Sequence, residues 1–158
     1  MDQIFEAILG KTYTVFQFKH RLRILKSNFA QKFYGGAILI EPTAEDLKWL
    51  KLLPETFFQQ FTPANLEETF SFLESKLKQT PTLALNLAFN PPDELITELG
   101  EYYRKNFNSF KLIDLKFDLK LIAGCSLVWN GVYKDYSLKA RIEERKEVIL
   151  QSFKKFLR

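Results

Sequence analysis

Apolar residues recur at intervals of three and four through the first half of the chain, and at intervals of two through much of the second. Val15, Phe18, Leu22, Leu25, Phe29 and Phe33 fall on one face of a helix, with Lys19, His20, Arg21, Arg23, Lys26 and Lys32 largely outside that stripe. Gly35-Gly36 supplies the residue type that ends a helix in the left-handed conformation. Thr43-Ala44-Glu45-Asp46 places a capping oxygen before a turn rich in acids, so a second helix is expected there, and Pro54 ends or restarts it. Thr62-Pro63 repeats the cap-then-proline start, after which Leu66, Phe70, Leu73 and Leu77 share a face. Ala37 to Ile40 fits a strand or a buried helix equally.

Beyond Pro81 the period changes. Leu83, Leu85, Leu87 and Phe89 alternate with smaller or polar residues, as in a half-buried strand. Asn90-Pro91-Pro92-Asp93 stops that strand and caps a helix with Leu95, Ile96, Leu99, Tyr102 and Tyr103 directed inward. Leu112 to Phe117 reads as a second strand and Leu121 to Trp129 as a third, more fully apolar one. Asn130-Gly131 is a strong hairpin signal, because both turn positions favour positive φ, and Val132 to Tyr136 returns as the fourth strand. Ser137 then caps a last helix. The expected fold is α+β: a helical bundle over 1–80, followed by a small β-α-β-β-α domain over 81–158 with its helices on one face.

Composition narrows the chemistry. With 46% hydrophobic residues and 16 Phe among 158, the chain has material for a strongly aromatic core. No apolar run approaches the roughly 20 residues that span a bilayer, and MDQIFEAILGK lacks the basic start of a secretory signal. Cys125 is the sole cysteine, which excludes an internal disulfide, and His20 is the sole histidine, which removes most metal sites and most Ser-His-Asp or Cys-His schemes. A net charge of +4 favours acidic partners without selecting among them.

Candidate catalytic groups reduce to structural roles. Gly35-Gly36 lacks the spaced glycines and the following Lys-Ser or Lys-Thr of a phosphate loop. Gly124-Cys125-Ser126 lies in an expected strand with no histidine nearby, so Cys125 reads as a small core residue. Asp114, Asp118 and Asp135 are expected at strand ends and caps rather than in a carboxylate cluster. The basic residues from Lys19 to Lys32 suit a solvated face opposite a core stripe better than a nucleic-acid surface. No catalytic, cofactor or metal site is expected.

The last helix carries more apolar surface than one packing stripe requires. Ile142, Ile149, Phe153 and Phe156 share a face, and Val148, Leu150 and Leu157 extend it. The excess fits either the helical half of this chain or a partner helix, and less well a membrane surface, since Glu143, Glu144 and Glu147 would oppose anionic lipid.

Asp118-Leu119-Lys120-Leu121-Ile122-Ala123-Gly124, the hairpin, and Asp135-Tyr136-Ser137-Leu138 leading into a helix with Arg141-Ile142 resemble the C-terminal domain of the delta subunit of F-type ATP synthase, the family of the oligomycin-sensitivity-conferring protein. That family shows an Asp-x-x-Leu-Ile-Gly-Gly pattern and an Asp-x-Ser-(Val or Leu) step into its final helix. The resemblance spans roughly residues 82 to 150 and rests on Asp118, Leu121, Ile122, Gly124, Asp135, Ser137 and Leu138. Leu119, Lys120 and Ala123 depart from the pattern, and the first half is shorter than the family's six-helix bundle. The E subunit of V- and A-type ATPases is a cousin, but Pro42, Pro54 and Pro63 interrupt the long charged helix with which it would begin.

The resemblance implies a non-catalytic, cofactor-free stator on the cytoplasmic face of the bacterial inner membrane, held to the membrane only through its complex. Its helical half would bind the N-terminal segments of alpha subunits, in a groove carrying Phe18, Leu22, Phe29, Leu66, Phe70 and Leu73. Its C-terminal half would bind the ends of the b-subunit helices through Val148, Ile149, Phe153 and Phe156. No nucleic acid is expected as partner.

Overall fold

The computed structural model describes residues 1–35, 40–107 and 112–156. The undecided run 37–39 lies outside them, as do Leu157 and Arg158. The chain is mixed α and β, with helices first and a four-stranded sheet second.

The helical half contains α1 (Asp2–Leu9), α2 (Val15–Tyr34), α3 (Ala44–Leu52), α4 (Glu55–Gln59) and α5 (Leu66–Gln79). Each long helix begins and ends where its local chemistry dictates. The Thr14 hydroxyl accepts the Gln17 amide at 3.1 Å while the Gln17 side chain accepts the Thr14 amide at 3.2 Å, a reciprocal capping box, and Gly35 closes α2 at φ 69°. Thr43 and Asp46 form the same box at the start of α3. Thr62 and Asn65 exchange bonds before α5, so Asn65 takes the cap position expected at Thr62.

Two short helices outside the expected elements, α1 and α4, determine what happens to the main stripe. Ile4, Phe5, Ile8 and Leu9 of α1 and Phe57 of α4 close over α2 and α5. The Phe5 and Phe18 rings stand 5.1 Å apart, and Phe29 stacks on Phe61 at 4.3 Å. Lys76 pairs with Asp2 and holds α5 to α1. Each fully buried Phe contributes about 2–3 kcal/mol by leaving water.

The second half runs β1 (Thr82–Leu87), α6 (Asp93–Asn106), β2 (Leu112–Phe117), a 3₁₀ turn (Leu119–Leu121), β3 (Cys125–Trp129), β4 (Val132–Asp135), α7 (Leu138–Glu144) and α8 (Lys146–Phe156). The sheet order is β2-β1-β3-β4, with β1 and β2 parallel and the remaining pairs antiparallel. Leu83, Leu85, Leu87 and Ile113 form one apolar layer, covered by Tyr103 of α6. Its neighbour in β2, Leu112, points the other way and is fully buried in the helical core. Adjacent residues of one strand thus serve two cores, and the helices are not confined to one face.

Three further expectations are corrected. The third strand does not begin at Leu121: the Asp118 carboxylate accepts the Lys120 amide at 2.9 Å, winds 119–121 into a 3₁₀ turn, and Ile122 and Gly124 follow at φ 67° and 84°. The last helix breaks at Arg145, whose φ of −107° and ψ of 13° separate α7 from α8. Tyr102 is exposed rather than inward, because Tyr103 and Gly100 take the packed side of α6.

The two halves are joined along a seam. The Tyr13 carbonyl accepts the Ile113 amide at 2.9 Å, and Thr14 bridges Ile113, so this linker lies beside the free edge of β2. Arg104 of α6 donates to the Leu9 carbonyl at 2.9 Å, to that of Gly10 at 3.1 Å and to that of Thr12, with its guanidinium 4.7 Å over the Tyr13 ring.

Candidate partner interface

The residues carrying the family resemblance come together as a buckle between the 118–124 segment, which joins β2 to β3, and the start of α7. Asn130 and Gly131, at φ 48° and 76°, turn the chain so that Trp129 faces Val132 and Ser126 faces Asp135. The Asp135 carboxylate accepts the Ser137 amide at 2.8 Å and the Tyr133 hydroxyl at 2.9 Å; Ser137 foremost, then Tyr133, holds it below the usual carboxylate range. Ser137 is wholly buried, and its hydroxyl accepts the Ala140 amide at 3.2 Å to start α7. Leu138 donates to the Ala123 carbonyl at 2.8 Å, which ties the helix start to the 118–124 segment. Gly124 is required there twice over: its φ is positive, and a Cβ would stand 2.5 Å from the Tyr136 carbonyl oxygen. Asp118 caps the 3₁₀ turn, Leu121 is buried beneath it, and Ile122 is exposed at its end.

The buckle aims an apolar surface outward. Leu138 and Ile142 of α7 are exposed, Val148 and Phe153 of α8 are 64% and 62% exposed, and Leu150 is half exposed. Ile149 is half-buried, and no described residue of α8 is fully buried. The Phe156 side chain lies outside the described residues. Six cations (Lys139, Arg141, Arg145, Lys146, Lys154 and Lys155) accompany three acids (Glu143, Glu144 and Glu147) along these two helices. Such a face suits an apolar helix edged with acids.

The groove expected in the helical half is a correction. Phe18, Leu22, Phe29, Leu66, Phe70 and Leu73 are each at most 4% exposed and all lie in the core. A stripe of period 3.6 signals burial without saying what buries it. Here α1, α4 and Phe61 do so, leaving none of the six free for a partner.

The basic residues of α2 divide between two sides. Arg21 donates to the Lys11 carbonyl and the Thr12 hydroxyl, both at 2.6 Å, and lies 4.7 Å over Trp49, where burial pulls its guanidinium down to about 10. His20 meets Asp46 at 3.2 Å. Lys19, Arg23 and Lys26 instead line a groove of about 500 Å³ between α2 and α5.

The titratable groups considered for chemistry have separate partners. Asp114 lies 3.6 Å from Lys116, Asp118 and Asp135 serve as caps, and burial pushes the half-buried Cys125 thiol up. Among the described residues no three His, Cys, Asp or Glu gather as metal ligands, and no helix is long and apolar enough to cross a membrane. No family model matches the chain, and no curated protein matches it.

Proposed function

We propose that this protein is a delta-like peripheral-stalk component of an F-type ATP synthase, without catalytic activity, that ties the catalytic head to the b-subunit stalk and resists rotor torque. The observation that carries this reading is the apolar surface of α7 and α8, with Val148 and Phe153 exposed on helices whose start is fixed by the residues that resemble the family. The C-terminal helices of the b subunits are the partner for that surface. The helical half, joined to the sheet through Arg104, is the part that meets the N-terminal segments of the alpha subunits. The protein would then sit on the cytoplasmic face of the bacterial inner membrane, peripheral and held by its complex.

The delta-like form is preferred over an E-type stator of V- and A-type enzymes. An E-type chain opens with a long, uninterrupted helix, whereas the longest helix here, α2, has 20 residues and buries one side in its own core. The test is calorimetric titration of the full chain with a peptide spanning the C-terminal helix of the cognate b protein. Saturable binding with a negative heat-capacity change, lost in Phe153→Asp, is the expected result. Absence of binding by a helix-competent peptide would overturn the reading.

A further inference from the structure

A cleft of about 620 Å³ is bordered by the first turns of α2, α3 and α6, at the seam between the two halves. Its size lies within the roughly 300–1,000 Å³ of small-ligand sites, which favour such seams. On its α2 side the rings of Phe16 and His20, one turn apart, are parallel to within 1°, with centroids 6.4 Å apart. Together they present flat aromatic faces in one orientation. Phe16 is 77% exposed and belongs to neither apolar cluster, so core packing does not account for a large ring held there. Half-buried Ile96 and Leu115 continue the apolar lining. The exposed carboxylates of Glu45 and Asp93 also line the cleft, and among the described residues neither has an ion-pair partner. Asp46 is engaged by His20 and Thr43. Arg21 borders the cleft too, but its guanidinium is turned to the Lys11 carbonyl and the Thr12 hydroxyl and lies over Trp49.

We propose that this cleft binds a guanidinium group, carried by a small free compound or by an arginine side chain. A guanidinium is flat and weakly hydrated, so it stacks on a ring face more readily than an ammonium does, while its edge donates in a fork to carboxylates. Phe16 supplies the ring face, Glu45 and Asp93 the carboxylates, and Ile96 and Leu115 receive the methylene stem. Other classes fit less well. A phosphate-bearing ligand would meet the two carboxylates, and a neutral apolar one would strip them of water without pairing them. Both acids also suit the positive ends of α3 and α6. That role needs no aromatic wall, and it is the exposed ring beside them that points to a flat cation. The inference uses no residue of α7 or α8, so it stands independently of the stator reading.

The probes are butylguanidinium, butylammonium, and a short unstructured peptide with a single arginine beside its citrulline counterpart. Amide shifts in two-dimensional NMR spectra of the full chain report binding. Butylguanidinium should bind saturably, move the amides of Phe16, Glu45 and Asp93, and bind more weakly as salt rises. Butylammonium has the same charge without the flat face and should bind several-fold more weakly. Phe16→Ala should weaken butylguanidinium about two- to fivefold, the size of a cation–π contact at an exposed site. Glu45→Gln with Asp93→Asn should weaken it about tenfold. All three positions are exposed, so the variants should keep the wild-type circular dichroism spectrum. An arginine peptide that binds more tightly than butylguanidinium assigns the group to a protein segment; equal or weaker binding assigns it to a free compound. Phe153→Asp should leave every affinity unchanged, because it lies on α8. Failure of butylguanidinium to saturate, equal binding of butylammonium or of the citrulline peptide, or indifference to Phe16→Ala would each overturn the proposal.

Discussion

The side chain of Tyr13 fills the space beside Gly100: a Cβ built on Gly100 would stand 2.5 Å from the Tyr13 Cβ and overlap the ring. A tyrosine of the helical half is thereby set into α6 of the sheet half. Gly100→Ala should destabilise the protein, although alanine is the better helix former. The propensity gain is about 1 kcal/mol, whereas overpacking against the rigid base of a side chain costs about 1–3 kcal/mol. A net loss of about 1 kcal/mol should lower the Tm by about 3 °C in a calorimetric scan. A raised Tm would mean that Tyr13 yields without cost.

Arg104 is the second fastening of that seam. Its guanidinium serves the Leu9, Gly10 and Thr12 carbonyls together, which a single ammonium cannot reproduce. Arg104→Ala should cost about 2–3 kcal/mol, with little rescue by lysine. The two tryptophans allow a local reading, because Trp49 reports the helical half and Trp129 the sheet. Single-tryptophan variants should melt together in denaturant when Arg104 is present and separately when it is replaced. Coincident curves in Arg104→Ala would show that the seam does not depend on it.

What the sequence disclosed about this fold divides by the range of the interactions. Short-range chemistry was legible: Thr43 with Asp46, Gly35, Asn130-Gly131 and Ser137 all act where local rules place them. The alternation of Leu83, Leu85 and Leu87 identified β1, and the stripe on α2 identified its buried face. The identity of what covers that stripe was not legible, because α4 is too short to show a period and the Ile4, Phe5, Ile8 and Leu9 stripe of α1 does not say which helix it packs on, and so six core residues read as a groove. The 3₁₀ turn at 119–121 was hidden for another reason. Leu121 and Ile122 look like strand residues, and only the Asp118 side chain bonding two residues ahead redirects the backbone. The α2–α5 groove and the Arg104 seam join residues far apart in sequence, and no spacing rule connects them.

Acid should loosen the helical half first at Asp46. Burial opposes its charge, but the Thr43 hydroxyl, the Thr43 amide and His20 outweigh this and hold its carboxyl below the ordinary range. A carboxyl with a depressed folded value contributes stability above its unfolded pKa of about 3.9, and that stability is lost as pH falls through the folded value. Urea midpoints should therefore drop below about pH 4, and Asp46→Asn should flatten that part of the profile. An identical acid slope in both proteins would place the sensitivity elsewhere.

Gly124→Ala should be more damaging than Ser137→Ala. Removing the Ser137 hydroxyl loses a helix cap, at about 1 kcal/mol. A Cβ at Gly124 meets a backbone oxygen at 2.5 Å in a positive-φ conformation, and strain of that kind costs about 1–3 kcal/mol before any contact is counted. Chemical denaturation of the two variants should rank them in that order. The reverse ranking would mean that the buckle rearranges around position 124.

Phe153→Asp should leave the isolated protein within about 0.5 kcal/mol of wild type, since that side chain is 62% exposed. Loss of stability well beyond this would indicate that α8 is held by its own chain, and the surface would cease to be a candidate for the b-subunit helices.

The burial of Leu112 in the helical core also bears on how the chain is made. Helices drawn from the first 79 residues would ordinarily close on themselves as soon as they leave the ribosome, since domains generally fold as units, N-terminal first. Yet their core is completed by a side chain that emerges more than thirty residues later, and the linker at Tyr13 and Thr14 waits for Ile113 to pair with it. During synthesis the helical half is therefore left open at the place where β2 will dock, and its final closure is postponed until the sheet begins to form.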